Sequence, residues 1–137
     1  MSKSNNHSYV FQDAVPSSFA SIITDCGFSL TQVKDWMFEL KSQSCLITVI
    51  LDKQQIFVDI QPARSDQVPS AKYFDKLDLG LLLNCLDPHI KFRYNFNREP
   101  EQVRKETDRL ARLLRQYCTP MLLGNFSDWP KLYNQNC

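Results

Sequence analysis

The sequence predicts an α+β fold in which a mostly antiparallel sheet of three or four strands is covered by helices, chiefly on one face. Three observations predict it. Two adjacent segments, Cys45–Leu51 and Ile56–Ile60, carry strand-like spacing around a polar connection. Helical apolar spacing precedes them at Phe19–Cys26 and follows them at Leu77–Leu86 and Val103–Tyr117. The chain is 137 residues long and 43% apolar, enough for one packed core without metal or disulfide staples.

Residues 1–12 are polar and read as a mobile tail, which leaves 13–137 as a single domain. The first helix is expected from Pro16 and Ser17 or Ser18, with Phe19, Ile22, Ile23 and Cys26 at i, i+3, i+4 and i+7. Gly27 supplies the left-handed residue that ends it. Trp36, Phe38 and Leu40 alternate with Asp35, Met37 and Glu39, which is a half-buried strand. Cys45–Leu51 is apolar at successive positions, as a central strand covered on both faces would be. Asp52–Gln55 is polar, and Ile56, Val58 and Ile60 then form the third strand as an antiparallel hairpin that Pro62 closes.

Residues 62–73, with two prolines and an Arg-Ser-Asp turn, form the longest loop. A helix is expected from about Asp75, with Leu77, Leu81, Leu82 and Cys85 on one stripe and Leu79, Leu83 and Leu86 widening it, until Asp87-Pro88 stops it. Ile90–Phe96 alternates strictly and predicts a charged edge strand. The last long helix opens at Pro100 and ends at Thr119-Pro120, burying Val103, Leu110, Leu113, Leu114 and Tyr117 while Lys105, Arg109 and Arg112 look outward. Arg104 with Asp108, Asp108 with Arg112, and Glu101 with Lys105 are its expected surface pairs. Leu122, Leu123, Phe126 and Trp129 are too apolar to float and should pack back.

The chemistry-bearing motifs are sparse. Sixteen basic residues against fifteen acidic ones leave a net charge of +1, so no global field steers the protein to nucleic acid or membrane. Five scattered cysteines (Cys26, Cys45, Cys85, Cys118 and Cys137) read as free thiols in a reducing, cytoplasmic setting. No apolar run approaches the roughly 20 residues of a membrane helix. His7 and His89 are the two histidines, and Pro88 disfavours a helical pairing of His89 with Cys85. No paired Cys/His spacing suggests a metal site, and three isolated glycines form no phosphate-binding loop, so neither metal nor cofactor is expected. Carboxylates such as Asp52, Asp59, Asp75 and Asp78 read as turn, cap or surface groups. Asp59 is the exception, since alternation turns it away from Val58 and Ile60 towards a surface usable for binding.

The order of elements is similar to that of small bacterial α+β proteins, some of which are immunity proteins to contact-dependent or polymorphic toxins. The likeness lies in a helix closing on Cys26-Gly27-Phe28, a three-strand meander, a leucine-rich helix, a charged helix ending near Tyr117, and the closing Leu122–Trp129. It spans most of residues 16–129 and implies a binding role; it carries over no functional residue. The expected function is therefore non-catalytic recognition of another protein, with toxin neutralisation by occlusion as its form. Candidate contact residues are Arg64, Asp66 and Tyr73 in the long loop and Lys105, Arg109 and Arg112 on the last helix. Self-association through the 77–86 helix is a further expectation. The first alternative is an RNA-binding module using the net-positive 90–116 segment, and the second is a small enzyme.

Overall fold

The computed structural model describes residues 3–134, with side chains from residue 6 onward. Five strands form one antiparallel sheet in sequential order: β1 (Ser29–Lys34), β2 (Met37–Lys41), β3 (Cys45–Asp52), β4 (Gln55–Pro62) and β5 (Leu77–Asp78). Helices α1 (Lys3–Ser18), α2 (Ala20–Cys26), α3 (Leu79–Leu86), α4 (Pro100–Leu122) and α5 (Trp129–Tyr133) complete the fold. The α+β class and the antiparallel sheet match expectation.

The inward strand positions explain the layering. Phe38 and Leu40 on β2, Cys45, Ile47 and Val49 on β3, and Ile56, Val58 and Ile60 on β4 are all buried and belong to one apolar cluster with Phe11, Val15, Leu79, Leu83, Val103, Leu110 and Leu114 from the helices. Period two in the strands and period 3.6 in the helices therefore meet in one interior. α1 and α4 pack side by side over the sheet, and α3 lies against β4 and β5.

Several expectations are corrected. The boundary at residue 12 does not hold, because α1 runs through it; His7 and Phe11 are buried beside Ala14 and Val15. Pro16 lies inside α1 instead of starting a helix, and the break falls at Phe19, before α2. Gly27 ends α2 at φ 75° as expected. β1 and β5 are strands beyond those expected. β1 is nearly all exposed, so it lacks the alternation that marks a half-buried strand. The strand expected at 35–40 begins at Met37, and Trp36 sits in the β1–β2 turn, exposed.

The leucine-rich helix starts at Leu79, because Leu77 and Asp78 pair with β4 and the Asp78 carboxylate caps the helix by accepting from Leu81 N (3.1 Å). A side chain at Gly80 would press on the Phe92 ring, with a Cβ 3.2 Å from it. Leu79, Leu82 and Leu83 are buried, Leu81 and Cys85 half-buried and Leu86 exposed, so most of the apolar surface of α3 is used within the fold. Residues 90–96 are not an edge strand. Lys91 is left-handed at φ 49°, Phe92 exchanges two hydrogen bonds with the Asn84 side chain, and only Phe96 bridges β4, at Gln55. α4 extends to Leu122, past Pro120. Of the closing residues, Leu122, Phe126 and Trp129 pack inward whereas Leu123 is exposed.

The thiol expectation holds for Cys26, Cys45 and Cys118, which are free, and fails for Cys85, which is disulfide-bonded; Cys137 lies outside the described residues. Burial pushes the Cys45 and Cys118 thiols up to about 12. Among the described residues, no helix is long and apolar enough to cross a membrane.

Candidate protein-binding face

β3 is expected to be covered on both sides, but helices cover only one. Its inward residues are buried, while Leu46, Thr48 and Ile50 keep part of their surface in contact with solvent. The register of the four pairings arranges the outward residues of the sheet in four rows, the shortest being Asp52 with Gln55 at the β3–β4 turn. Lys34, Met37, Ile50 and Phe57 stand opposite one another in a row that is apolar except for the lysine at its β1 end. Thr31, Glu39, Thr48, Asp59 and Asp78 form the next row, rich in carboxylates. Ser29, Lys41, Leu46 and Gln61 form the third. An antiparallel sheet with one wet face normally carries polar residues there. Here Met37, Leu46, Ile50 and Phe57 are all half-buried on that face, and Val33 and Trp36 are exposed at its margin.

One edge of the face is locked by Tyr94. Its ring meets Phe57 edge to face at 4.8 Å, and its hydroxyl donates to Asp78 Oδ1 (2.7 Å) while accepting from Gly80 N (3.3 Å) and Val58 N (3.4 Å). The hydroxyl thus satisfies β4 where β5 ends. Burial, reinforced by Asp78, pushes the phenol well above its ordinary pKa, so it stays a neutral donor. Beside it, burial raises the Asp59 carboxyl, with Lys76 Nζ at 3.8 Å pulling the other way and Asp78 adding to the rise. Asp59 lies on the outward face, as the alternation indicated.

The six sequence-predicted contact residues do not gather on one surface. Arg64 and Asp66 are exposed on the 3-10 turn after β4 and pair with each other at 3.1 Å, with Arg64 Nη1 also donating to Gln43 O (2.5 Å). Tyr73 packs edge to face on Tyr133 at 5.6 Å and accepts from Asn134 (3.2 Å), so it holds α5 in place. Lys105 and Arg112 are exposed on α4, on the side away from the open face. Arg109, expected to look outward, turns inward. Its guanidinium grips the buried Glu106 carboxylate through Nε (2.7 Å) and Nη2 (3.0 Å) and lies over the Phe92 ring at 4.8 Å.

The other α4 cations are also committed. Arg104 pairs with Asp13 at 2.8 Å and Arg115 with Asp25 at 2.6 Å, while Asp108 accepts from the Ser18 hydroxyl. These ties join α4 to α1 and α2 and replace the pairs expected along α4, although Arg104 also reaches Glu101 at 3.8 Å. Three arginines of the 90–116 segment are thus paired with carboxylates of this chain, whereas Lys91, Arg93, Arg98, Lys105 and Arg112 are exposed.

Comparison with known protein families, curated proteins and solved structures finds no match. The outward apolar row escaped sequence reasoning although a signal was present: Leu46 and Ile50 fall on the parity opposite to Cys45, Ile47 and Val49, and Phe57 is opposite to Ile56 and Val58. A run apolar at both parities predicts double burial. An exposed binding face produces the same pattern.

Proposed function

We propose that this chain is a non-catalytic protein-binding domain that engages its partner through the uncovered sheet face. The observation that carries the reading is the row Met37–Ile50–Phe57, apolar side chains set on the solvent side of a rigid sheet and bordered by Glu39, Asp59 and Asp78. Completing the burial of such half-exposed side chains contributes about 1 kcal/mol each. Flanking carboxylates select a partner surface of basic character. Toxin neutralisation by occlusion is the biological form suggested by the order of elements, and the three free thiols suit a reducing cytoplasm, a support Cys85 does not share. A face whose central row carries Glu39, Asp59 and Asp78 is a poor match for RNA, whose backbone requires cations.

The test is capture from native cells with wild type and with Met37→Lys/Ile50→Thr, two outward changes that leave the helix-covered core untouched. The variant is expected to keep its far-UV CD spectrum and its melting transition while losing the captured protein. Equal capture by both forms would remove the face from the interaction. A nuclease-sensitive catch would point to nucleic acid instead.

A further inference from the structure

At the end of the sheet where the β1–β2 and β3–β4 turns meet the start of α1, the chain forms a cavity of about 680 Å³. Its volume falls within the range of small-ligand pockets. Asp35, Trp36, Asp52 and Lys53 border it, His7 lines it from α1, and Ile50 and Leu51 give it an apolar wall. Trp36 leaves 47% of its surface exposed, which is unusual for an indole unless something covers it. Among the described residues, neither the Asp35 nor the Asp52 carboxylate has an ion-pair partner.

The frame is held while the lining is left open. Leu51 N donates to Trp36 O (2.8 Å), the Ser8 hydroxyl donates to Asp35 O (3.4 Å), and Gln54 O accepts from both Asn97 N (2.9 Å) and Asn97 Nδ2 (2.8 Å). All three segments of the rim are thus fixed through their main chains, so a ligand would have little backbone left to order. An aromatic face beside carboxylates is the chemistry that recognises an organic cation: the ring quadrupole and the anionic oxygens attract the same group. Ile50 also belongs to the apolar row, which makes the cavity continuous with the binding face.

We propose that this cavity is the anchor pocket for a basic side chain, arginine or lysine, presented by the protein partner. The proposal rests on the protein-binding reading given above and names the chemistry of its contact. Trp36 stacks on the cation, Asp35 and Asp52 pair with it, and Ile50 and Leu51 receive its aliphatic stem. Lys53 opposes the cation, since it brings a like charge to the same rim.

The probe is N-acetyl-arginine amide, titrated into the 137-residue chain while the Trp36 indole N–H is followed by NMR, with N-acetyl-glutamine amide as the neutral control. Arginine amide is expected to shift the Trp36 signal saturably at millimolar concentration and the glutamine compound to leave it still. Asp35→Asn/Asp52→Asn should weaken binding about fivefold or more, and Lys53→Asn, which suits the turn, should tighten it about two- to threefold at low salt. No saturable shift, or equal shifts by both compounds, would overturn the proposal, as would an unchanged affinity in the double carboxylate variant. Partner capture separates the two readings. Loss of capture in Met37→Lys/Ile50→Thr but not in Asp35→Asn/Asp52→Asn would refute the anchor pocket and leave the binding face standing.

Discussion

Replacing Arg109 by alanine would expose how strongly one buried ion pair fixes the irregular 91–97 segment to the long helix. Glu106 is 2% exposed and its carboxylate accepts four hydrogen bonds, from Asn95 N (3.0 Å), Asn95 Nδ2 (3.1 Å) and the two Arg109 nitrogens. Arg109 Nη2 also donates to Arg93 O (2.9 Å), so one guanidinium ties α4 to two points of the segment. Removing one partner of a fully buried pair costs about 3–5 kcal/mol, because the remaining charge is left without compensation. The Arg109 side chain keeps 27% of its exposure and Asn95 would still hold the carboxylate, so the expected cost of Arg109→Ala is about 2–3 kcal/mol.

Glu106→Gln, which retains an acceptor but not the charge, should cost about 1–2 kcal/mol. The double variant should be less destabilised than the sum by about 1–2 kcal/mol, since the charge left stranded by the first change is absent after the second. Urea unfolding measures all three, and with a slope near 1.5 kcal/mol/M the Arg109→Ala midpoint should fall by roughly 1.3–2 M. A loss below about 0.5 kcal/mol for Arg109→Ala, or strict additivity with Glu106→Gln, would show that the pair is solvated and the segment held by other contacts.

Three further outcomes are expected. The β3–β4 connection is a two-residue turn in which Lys53 (φ 49°) and Gln54 (φ 67°) are both left-handed, the geometry that favours Asn-Gly; Lys53→Asn/Gln54→Gly should raise stability by about 1 kcal/mol in thermal melts, and a fall would mean the turn's side chains matter more than its backbone. Cys45 and Cys118, with thiols held up to about 12, should resist a thiol reagent at pH 8 in the native protein while the half-buried Cys26 reacts first; the stability linked to the two buried thiols is fully present below the ordinary value of 9.0 and is lost as pH rises towards 12, and rapid native-state labelling of all three would contradict the packing. Asp59, whose carboxyl is raised by burial, binds its proton more tightly folded than unfolded, so ionising it costs stability above its ordinary range; Asp59→Asn should therefore raise the melting temperature at pH 7 and lose that advantage as pH falls below about 4, and a lower melting temperature at pH 7 would show the Lys76 contact to be the larger effect.

Much of the sheet was legible because hairpin strands with one buried face write that face into the sequence. The β3–β4 hairpin, the left-handed Gly27, and the opening of α4 at Pro100, where the Gln102 side chain accepts from Glu99 N (2.9 Å), are all local events. α1 was hidden because its stripe begins with a polar residue: His7 is buried with its ring against Asn97 O (2.8 Å), followed by Phe11, Ala14 and Val15. β1 was hidden for the opposite reason, since an edge strand exposed on both faces needs no alternation. At 90–96 the alternation was real, but the apolar residues serve different neighbours: Phe92 goes to the core, Tyr94 to the β4 edge and Phe96 to solvent.

By itself the sequence determined the fold class, the hairpin, the helical stripes and the outward turn of Asp59. Those properties follow from spacing along the chain, and spacing is set by the 2.0 and 3.6 residue repeats. Only the tertiary structure decided which face of the sheet the helices cover, and hence that Ile50 and Phe57 border solvent instead of a second layer. It also decided that Arg109 turns inward to Glu106, and that Asp35, Trp36 and Asp52 meet around one cavity. The physical reason is that an apolar residue on a strand specifies burial against something, while the identity of that neighbour depends on how distant segments close on one another.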